Sequence, residues 1–225
     1  MGIDRLKEII EGSKNIVFFG GAGTSTESNI PDFRSADTGM YKKEKRYPYP
    51  PEIMISHTFF ISHPEEFFSF YRKEMVFKEA RPNDAHIVLA ELERMGKVKA
   101  VITQNIDGLH QMAGSKNVLE LHGSIHRNYC MDCGREYDLD SILESETPVP
   151  KCENCGGIVR PDVVLYEEGL DMQVLNKSIR AIKRADVLIV GGTSLVVYPA
   201  AGLVEYFKGD ELVLINKSPT RYDYR

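Results

Sequence analysis

Three groups of residues in this 225-residue chain have types and spacings suited to chemistry. The first comprises every cysteine present. Cys130 and Cys133 form one Cys-x-x-Cys turn, and Cys152 and Cys155 a second, with eighteen residues between. Each turn brings two thiolates within reach of one ion. Two turns complete the tetrahedron that Zn²⁺ accepts when no coordination position is left open. Such a site is structural: the zinc holds the chain and does no chemistry. Four unrelated core or redox cysteines would rarely fall into two such pairs with none left over. The second group is Gln104-Asn105-Ile106-Asp107, with His122 further on. Asn105 and Asp107 stand at i and i+2 past the end of an apolar run, so they can project to one side and hold a water or a ribose. A histidine is the natural proton acceptor near neutral pH, although an isolated one is more often a core residue. The third group is Gly21-Ala22-Gly23, with Thr24, Ser25 and Thr26. Glycines after a buried strand let backbone N–H groups approach a phosphate, although a plain tight turn gives the same pattern. Gly192-Thr193-Ser194 and Asn216 end two later apolar runs in the same manner. No serine has an obvious partner motif and the cysteines are committed, so a covalent triad is disfavoured.

These groups need elements that gather strand ends at one edge. Apolar runs at 15–19, 98–103, 118–121, 185–190 and 211–215 predict strands, and the unbroken run at 15–19 predicts burial on both faces. Helices are expected at 4–11 (Ile3, Leu6, Ile9 and Ile10 inward), around 59–79, and at 83–95 with Asn83 as N-cap. Two more are expected at 170–184 (Met172, Leu175, Ile179 and Ile182 inward) and near 199–208. The aromatic stripe Phe59, Phe60, Phe67, Phe68, Tyr71 and Met75 reads as core. Residues 36–58, with Pro48, Pro50 and Pro51, read as a long irregular loop, a kind that is usually functional. Strands alternating with helices predict an α/β fold: a Rossmann-like, doubly wound parallel sheet with a smaller zinc-binding domain inserted. The expected large domain comprises 1–34, 81–126 and 161–225. The expected small one comprises the helical part 35–80 and the zinc hairpin 127–160. Residues are 42% hydrophobic and 27% charged, ordinary for a globular protein. A net charge of −5 argues against direct nucleic-acid binding. No apolar run approaches the roughly 18 residues of a membrane span, and residues 1–5 lack signal-peptide character. Cysteine pairs without a secretion signal fit the reducing cytoplasm.

The motifs, taken in order, resemble those of the sirtuins, NAD-dependent protein-lysine deacylases. The matching residues are Gly21-Ala22-Gly23 with Ser25, Ile30-Pro31-Asp32-Phe33-Arg34, and Thr103-Gln104-Asn105-Ile106-Asp107 with Leu109-His110. To these are added His122-Gly123, the four cysteines, Gly192-Thr193-Ser194 and Ile215-Asn216. The resemblance runs from about residue 8 to 217. It implies cleavage of the nicotinamide–ribose bond, attack on the ribose by the acyl oxygen of an N-acyl-lysine, and proton removal from a ribose hydroxyl by His122. Free lysine and an O-acyl-ADP-ribose then result. It further implies that Asn105 positions water and ribose, that Asp107 holds the nicotinamide carboxamide and Gln104 the ribose, and that Phe33 shields the reactive face. Gly21, Ala22, Gly23, Thr26, Arg34, Ile106, Gly192, Thr193, Ser194 and Asn216 would line the cofactor. The acylated peptide or protein would enter as an added strand between Val163-Val164-Leu165-Tyr166 and Leu195-Val196-Val197. Phe33, Val164 and Val196 or Val197 would wall the lysine tunnel.

Some positions depart from the family pattern. Asn29 stands where glycine is usual, and Asn tolerates positive φ. Leu165-Tyr166-Glu167-Glu168 replaces the common Phe-Phe-Gly-Glu, which changes the acyl tunnel. Members that prefer acidic acyl groups carry Tyr-x-x-Arg, whereas this chain reads Phe68-x-x-Tyr71 or Ser69-x-x-Arg72, so no succinyl or malonyl preference is expected. Sirtuins usually continue further past the Ile215-Asn216 motif, with contacts to adenine, and this chain ends at Arg225. The alternatives on the same fold are mono-ADP-ribosyl transfer and NAD hydrolysis. A zinc-ribbon binding module is disfavoured by the acidic balance. A dehydrogenase is disfavoured because the acid about 20 residues past the glycines, Asp37, lies in the irregular stretch.

Overall fold

The structure, a computed structural model, describes residues 2–32 and 47–224. Phe33, Arg34, Ser35 and Asp37 therefore lie outside the described residues. Helix α1 (Ile3–Gly12) leads to strand β1 (Ile16–Gly20) and a 3₁₀ turn at Ala22–Ser28. Helices α2 (Pro51–Met54), α3 (His57–Ser62) and α4 (Pro64–Phe70) follow, then a π-helical turn at Tyr71–Met75. Next come α5 (Asp84–Arg94), β2 (Val98–Thr103), α6 (Leu109–Ala113) and β3 (Val118–Glu120). The zinc-ribbon region holds β4 (Gly123–Cys130), β5 (Glu136–Tyr137), α7 (Leu139–Leu143) and β6 (Val159–Val163). Helix α8 (Met172–Arg184), β7 (Val187–Gly191), a 3₁₀ turn at Ala200–Tyr206 and β8 (Glu211–Ile215) complete the chain.

The five runs read as strands form one all-parallel, Rossmann-type sheet in the order β3-β2-β1-β7-β8. β1 is central and buried along its whole length, which explains a run with no polar alternation. The order reverses at β1, so the crevice past its carboxyl end is the expected ligand position of an open α/β sheet. A second, antiparallel sheet, β5-β4-β6, is built on the cysteine-bearing segments. Its strands run from Gly123 to Val163, beyond both ends of the 127–160 hairpin, because β4 starts directly after His122. This sheet shares one core with the aromatic stripe: Phe59, Phe60, Phe67, Phe68, Tyr71 and Met75 pack with Ile125, Ile142, Val159 and Val163.

The helical segment 59–79 is broken, and the cause is local. Pro64 begins α4 and disfavours helical backbone at His63, which takes φ −136° and ψ 58°. Within 36–58, the described part is not wholly irregular: α2 lies there, and Ser56 caps α3 by accepting the Phe59 N–H at 3.2 Å. Met172 and Ile3 do not join the inward faces of their helices; they are 62% and 86% exposed, each in the first turn of its helix. Among the described residues no helix is long and apolar enough to cross a membrane.

Candidate active site and metal centre

The carboxyl ends of β1, β2, β7 and β8 converge. Past β1, Gly21 N–H donates to the Gly191 carbonyl at 3.2 Å and Gly23 N–H to the Gly192 carbonyl at 2.8 Å. A Cβ at Gly23 would meet the Gly192 backbone at 2.8 Å, so only glycine permits this contact between two strand ends. Past β2, Gln104 N–H donates to the Gly20 carbonyl at 3.0 Å, and its Nε2 to Thr193 Oγ1 at 3.0 Å. Ser25 Oγ, fully buried, receives a hydrogen bond from Asn105 Nδ2 at 3.0 Å and donates to Asp107 Oδ2 at 2.7 Å. Asp107 Oδ1 also accepts the Leu109 N–H at 2.9 Å. Past β7 and β8, Thr193 N–H donates to Asn216 Oδ1 at 2.8 Å, while Asn216 Nδ2 is buried without a partner. The residues thus fit a dinucleotide: a glycine cradle, an orphaned buried donor, and a carboxamide and a carboxylate fixed by one serine. Ala22 and Ile106 are half-buried at this edge, and Thr26 and Ser194 are exposed there.

His122 lies two residues past β3, after the buried Leu121. Its Nδ1 lies 2.9 Å from the Gln104 carbonyl, which can only accept, so Nδ1 carries the proton and Nε2 keeps its lone pair. Burial lowers its pKa below 6.5, outweighing the opposite pull of the Gln104 carbonyl, so the ring is neutral at physiological pH. The backbone of the same residue reaches the second sheet, because Val164 N–H donates to the His122 carbonyl at 3.0 Å. Two further histidines lie behind the site and drew no role from the sequence. His110, 1% exposed, has neither ring nitrogen paired and is lowered to about 3 by burial and then by neighbouring His86. His86 stacks obliquely on it at 4.6 Å between ring centres. The roles of Ser25 and Asn83 in joining elements were also missed. Asn83 Nδ2 donates to the Thr24 carbonyl at 2.8 Å and to Ser28 Oγ at 3.1 Å. The N-cap signal at Asn83 was visible, but not the distant turn it would tie.

The four cysteine sulfurs all lie within 4.8 Å of one another, with Cys130···Cys155 at 3.4 Å and Cys133···Cys152 at 3.6 Å. A tetrahedron with Zn–S bonds of about 2.3 Å needs sulfurs about 3.8 Å apart, so the cluster fits that ion. The Tyr137 hydroxyl donates to Cys152 Sγ at 3.2 Å and lowers this thiol to about 6. Cys155, despite a Gly157 backbone hydrogen bond, is raised to about 12 by hydrogen bonding to Cys130 and Cys133. Four thiols so crowded cannot all ionise alone; a dication makes a four-thiolate set stable.

A family model described as the Sir2 family matches residues 21–199. The chain belongs to the Sir2 family. It is 66% identical over 221 residues to an NAD-dependent protein deacetylase of Clostridium acetobutylicum, covering 98% of this chain and 90% of that one. To the corresponding Clostridium tetani protein it is 64% identical, covering 97% and 88%. Among solved structures, a Sir2 protein with a p53 peptide and NAD⁺ superposes with a TM-score of 0.86 at 41% identity, covering all of this chain and 90% of that one. A Sir2 protein bound to an acetylated peptide gives 0.87 at 38% identity, with the same coverage.

In this sirtuin the expected peptide segments divide by burial. Val163, Leu165 and Leu195 face the cores, whereas Val164, Tyr166 and Val197 are half-buried and Val196 is 53% exposed. Tyr166 N–H donates to the Ile55 carbonyl at 3.1 Å, and its carbonyl accepts the His57 N–H at 3.0 Å, so its backbone edge is occupied. Both departures from family glycine sit at positive φ: Asn29 at 62° and Glu167 at 77°. Glu167 has a local reward there, since its carboxylate accepts the Thr58 N–H at 2.8 Å. The next residue, Glu168, is held down at about 2: burial opposes its charge, but Arg160, the Leu165 N–H and His57 outweigh burial. Arg72 donates to the Ile142 and Pro148 carbonyls and is spent on the zinc-side loop.

Proposed function

We propose that this chain removes acetyl groups from protein lysines and consumes NAD, giving nicotinamide, O-acetyl-ADP-ribose and free lysine. The observation that carries this reading is His122: a neutral imidazole with Nε2 free, at the junction of the dinucleotide edge and the Val164 strand. Bound NAD supplies an electrophilic ribose carbon to which the acetyl oxygen can add. Around it, Asn105 orients a water and the ribose, and Asp107, itself aimed by Ser25 and the Leu109 N–H, receives the nicotinamide carboxamide. His122 Nε2 takes the ribose hydroxyl proton; Nδ1–H on the Gln104 carbonyl holds the ring in that tautomer. The preset hydrogen bonds at this edge need no rearrangement as charge develops, which is where such sites gain most. The acetylated peptide lies along Val164 and Val196–Val197, with Tyr166 narrowing the tunnel. The zinc, held by Cys130, Cys133, Cys152 and Cys155, keeps the second sheet in place. Four cysteines that must stay reduced suit the cytoplasm, where we place the protein.

The test is incubation of zinc-replete protein with NAD and lysine peptides carrying acetyl, propionyl, butyryl and succinyl groups, read by mass spectrometry. Free lysine and O-acetyl-ADP-ribose in equal amounts are expected, with succinyl the poorest substrate. Nicotinamide release that ignores the acyl peptide would replace this reading with ADP-ribosyl transfer or NAD hydrolysis.

A further inference from the structure

A second cleft, of about 400 Å³, opens at the opposite end of the parallel sheet from His122. It lies between α8 and the β2–β3 edge, lined by Asn15, Lys99, Asn117, Leu119, Ala181 and three cations of α8: Lys177, Arg180 and Arg184. The α8 cations stand at i, i+3 and i+7, hence on one face, and Lys99 is the exposed position of β2. Among the described residues none of these four cations has an ion pair, whereas Arg5, Arg81, Arg127, Arg135, Arg160 and Arg221 each have at least one. The acids at the rim are engaged by backbone: Asp186 accepts the Lys14 N–H at 2.9 Å and the Asn15 N–H at 3.1 Å, and Glu93 accepts the Lys116 and Asn117 N–H groups at 2.8 Å each. Cations in the last turn of a helix offset its dipole, which accounts for Arg184. It does not account for Lys177 and Arg180, further up the helix, or for Lys99 on a strand.

We propose that this cleft binds a compact anion carrying two or more phosphoryl groups, at a site separate from the NAD edge. Concentrating four unpaired cations around one concavity, in a chain of net charge −5, costs repulsion that a polyvalent anion relieves. Arginine matches phosphate with paired N–H donors, and Lys99 and Lys177 add point charges. Leu119 and Ala181 form an apolar floor. The confined cleft favours a small ligand over a long nucleic acid, which would meet the acidic remainder of the surface.

The experiment is calorimetric titration of the zinc-loaded full chain with pyrophosphate and with tripolyphosphate. Saturating ADP-ribose is present, so that the cofactor's own phosphate cradle is filled. Expected are one site per chain, tighter binding of tripolyphosphate than of pyrophosphate, and affinity that falls as salt rises. Arg180→Gln combined with Arg184→Gln should weaken binding about tenfold or more while deacetylation kcat stays unchanged and Tm falls by no more than about 4 °C, the worth of the lost helix-end cation. Lys99→Gln, on the other wall, should weaken it independently. No saturable binding, equal binding by the variants, or tighter binding of a single-stranded oligonucleotide than of tripolyphosphate would each overturn the proposal.

Discussion

At the scale of single residues, the proposed reaction turns on which nitrogen of His122 is free and whether it is neutral. The Gln104 carbonyl settles the first, since Nδ1 must donate to it at 2.9 Å. Burial settles the second by holding the pKa below 6.5. His122→Ala should reduce deacetylation at least about 10²-fold, the usual worth of a positioned general base. Its Tm should move by no more than about 2 °C, under 1 kcal/mol for a chain of this size. An equal loss of activity and stability would return His122 to the core. The pH profile gives an independent check. Activity is lost as the base gains a proton, so with a depressed pKa the acid limb of kcat/KM must bend below pH 6.5. A limb bending above 6.5 would mean that another group titrates. The type and spacing of Gln104, Asn105, Asp107 and His122 were readable from sequence. The serine that aims both Asn105 and Asp107 was not, because a Ser25 hydroxyl eighty residues upstream carries no local signal.

At the scale of elements, the turn proposed to hold the cofactor is tied by a helix that itself carries no cofactor motif. Asn83 caps α5 by accepting the Ala85 N–H at 3.0 Å, and with its other end holds the Thr24 carbonyl and Ser28 Oγ. Two variants separate these jobs. Asn83→Ala loses both, and should cost about 1 kcal/mol or somewhat more in stability and raise the KM for NAD several-fold. Asn83→Asp keeps an acceptor for the cap but has no N–H for the turn. It should recover most of the stability and still show the raised KM; a wild-type KM in this variant would dismiss the tie. The same division explains what could be read in advance. β1 and β7 announced themselves because burial on both faces leaves only apolar residues, while β2, β3 and β8 are less fully buried yet still mostly apolar. β4 did not, since Gly123–Cys130 mixes His126, Arg127 and Asn128 with Ile125 and pairs with β6 some thirty residues away. The break at His63 was signalled by Pro64, but continuous aromatic spacing on either side concealed it.

At the scale of the whole molecule, two sheets meet at the candidate active site and the four cysteines lie at the far end of the smaller one. β4 begins beside His122 and ends at Cys130; β6 begins at Val159, close to Cys152 and Cys155, and ends beside Val164. One ion held there pins the distant ends of the two strands whose near ends adjoin His122 and Val164, the proposed base and peptide edge. Cys130 and Cys152 are also buried members of the core shared with the aromatic helices, so loss of the ion leaves uncompensated thiols inside that core. Stripping the zinc with a chelator should lower Tm by about 10 °C or more, since binding energy of a structural zinc is largely folding energy. The effect on ligands should be unequal. The proposed ADP-ribose contacts lie on the parallel sheet, where the hydrogen bonds of Gln104 to Gly20, Gly21 to Gly191, Gly23 to Gly192 and Thr193 to Asn216 do not pass through the second sheet. The KM for acetylated peptide should therefore rise more than the Kd for ADP-ribose, and readdition of Zn²⁺ should restore both. Titrating each ligand against the stripped and reloaded protein decides the matter: equal weakening would mean that the ion supports the whole fold, and no weakening would mean that the four cysteines hold the chain without it.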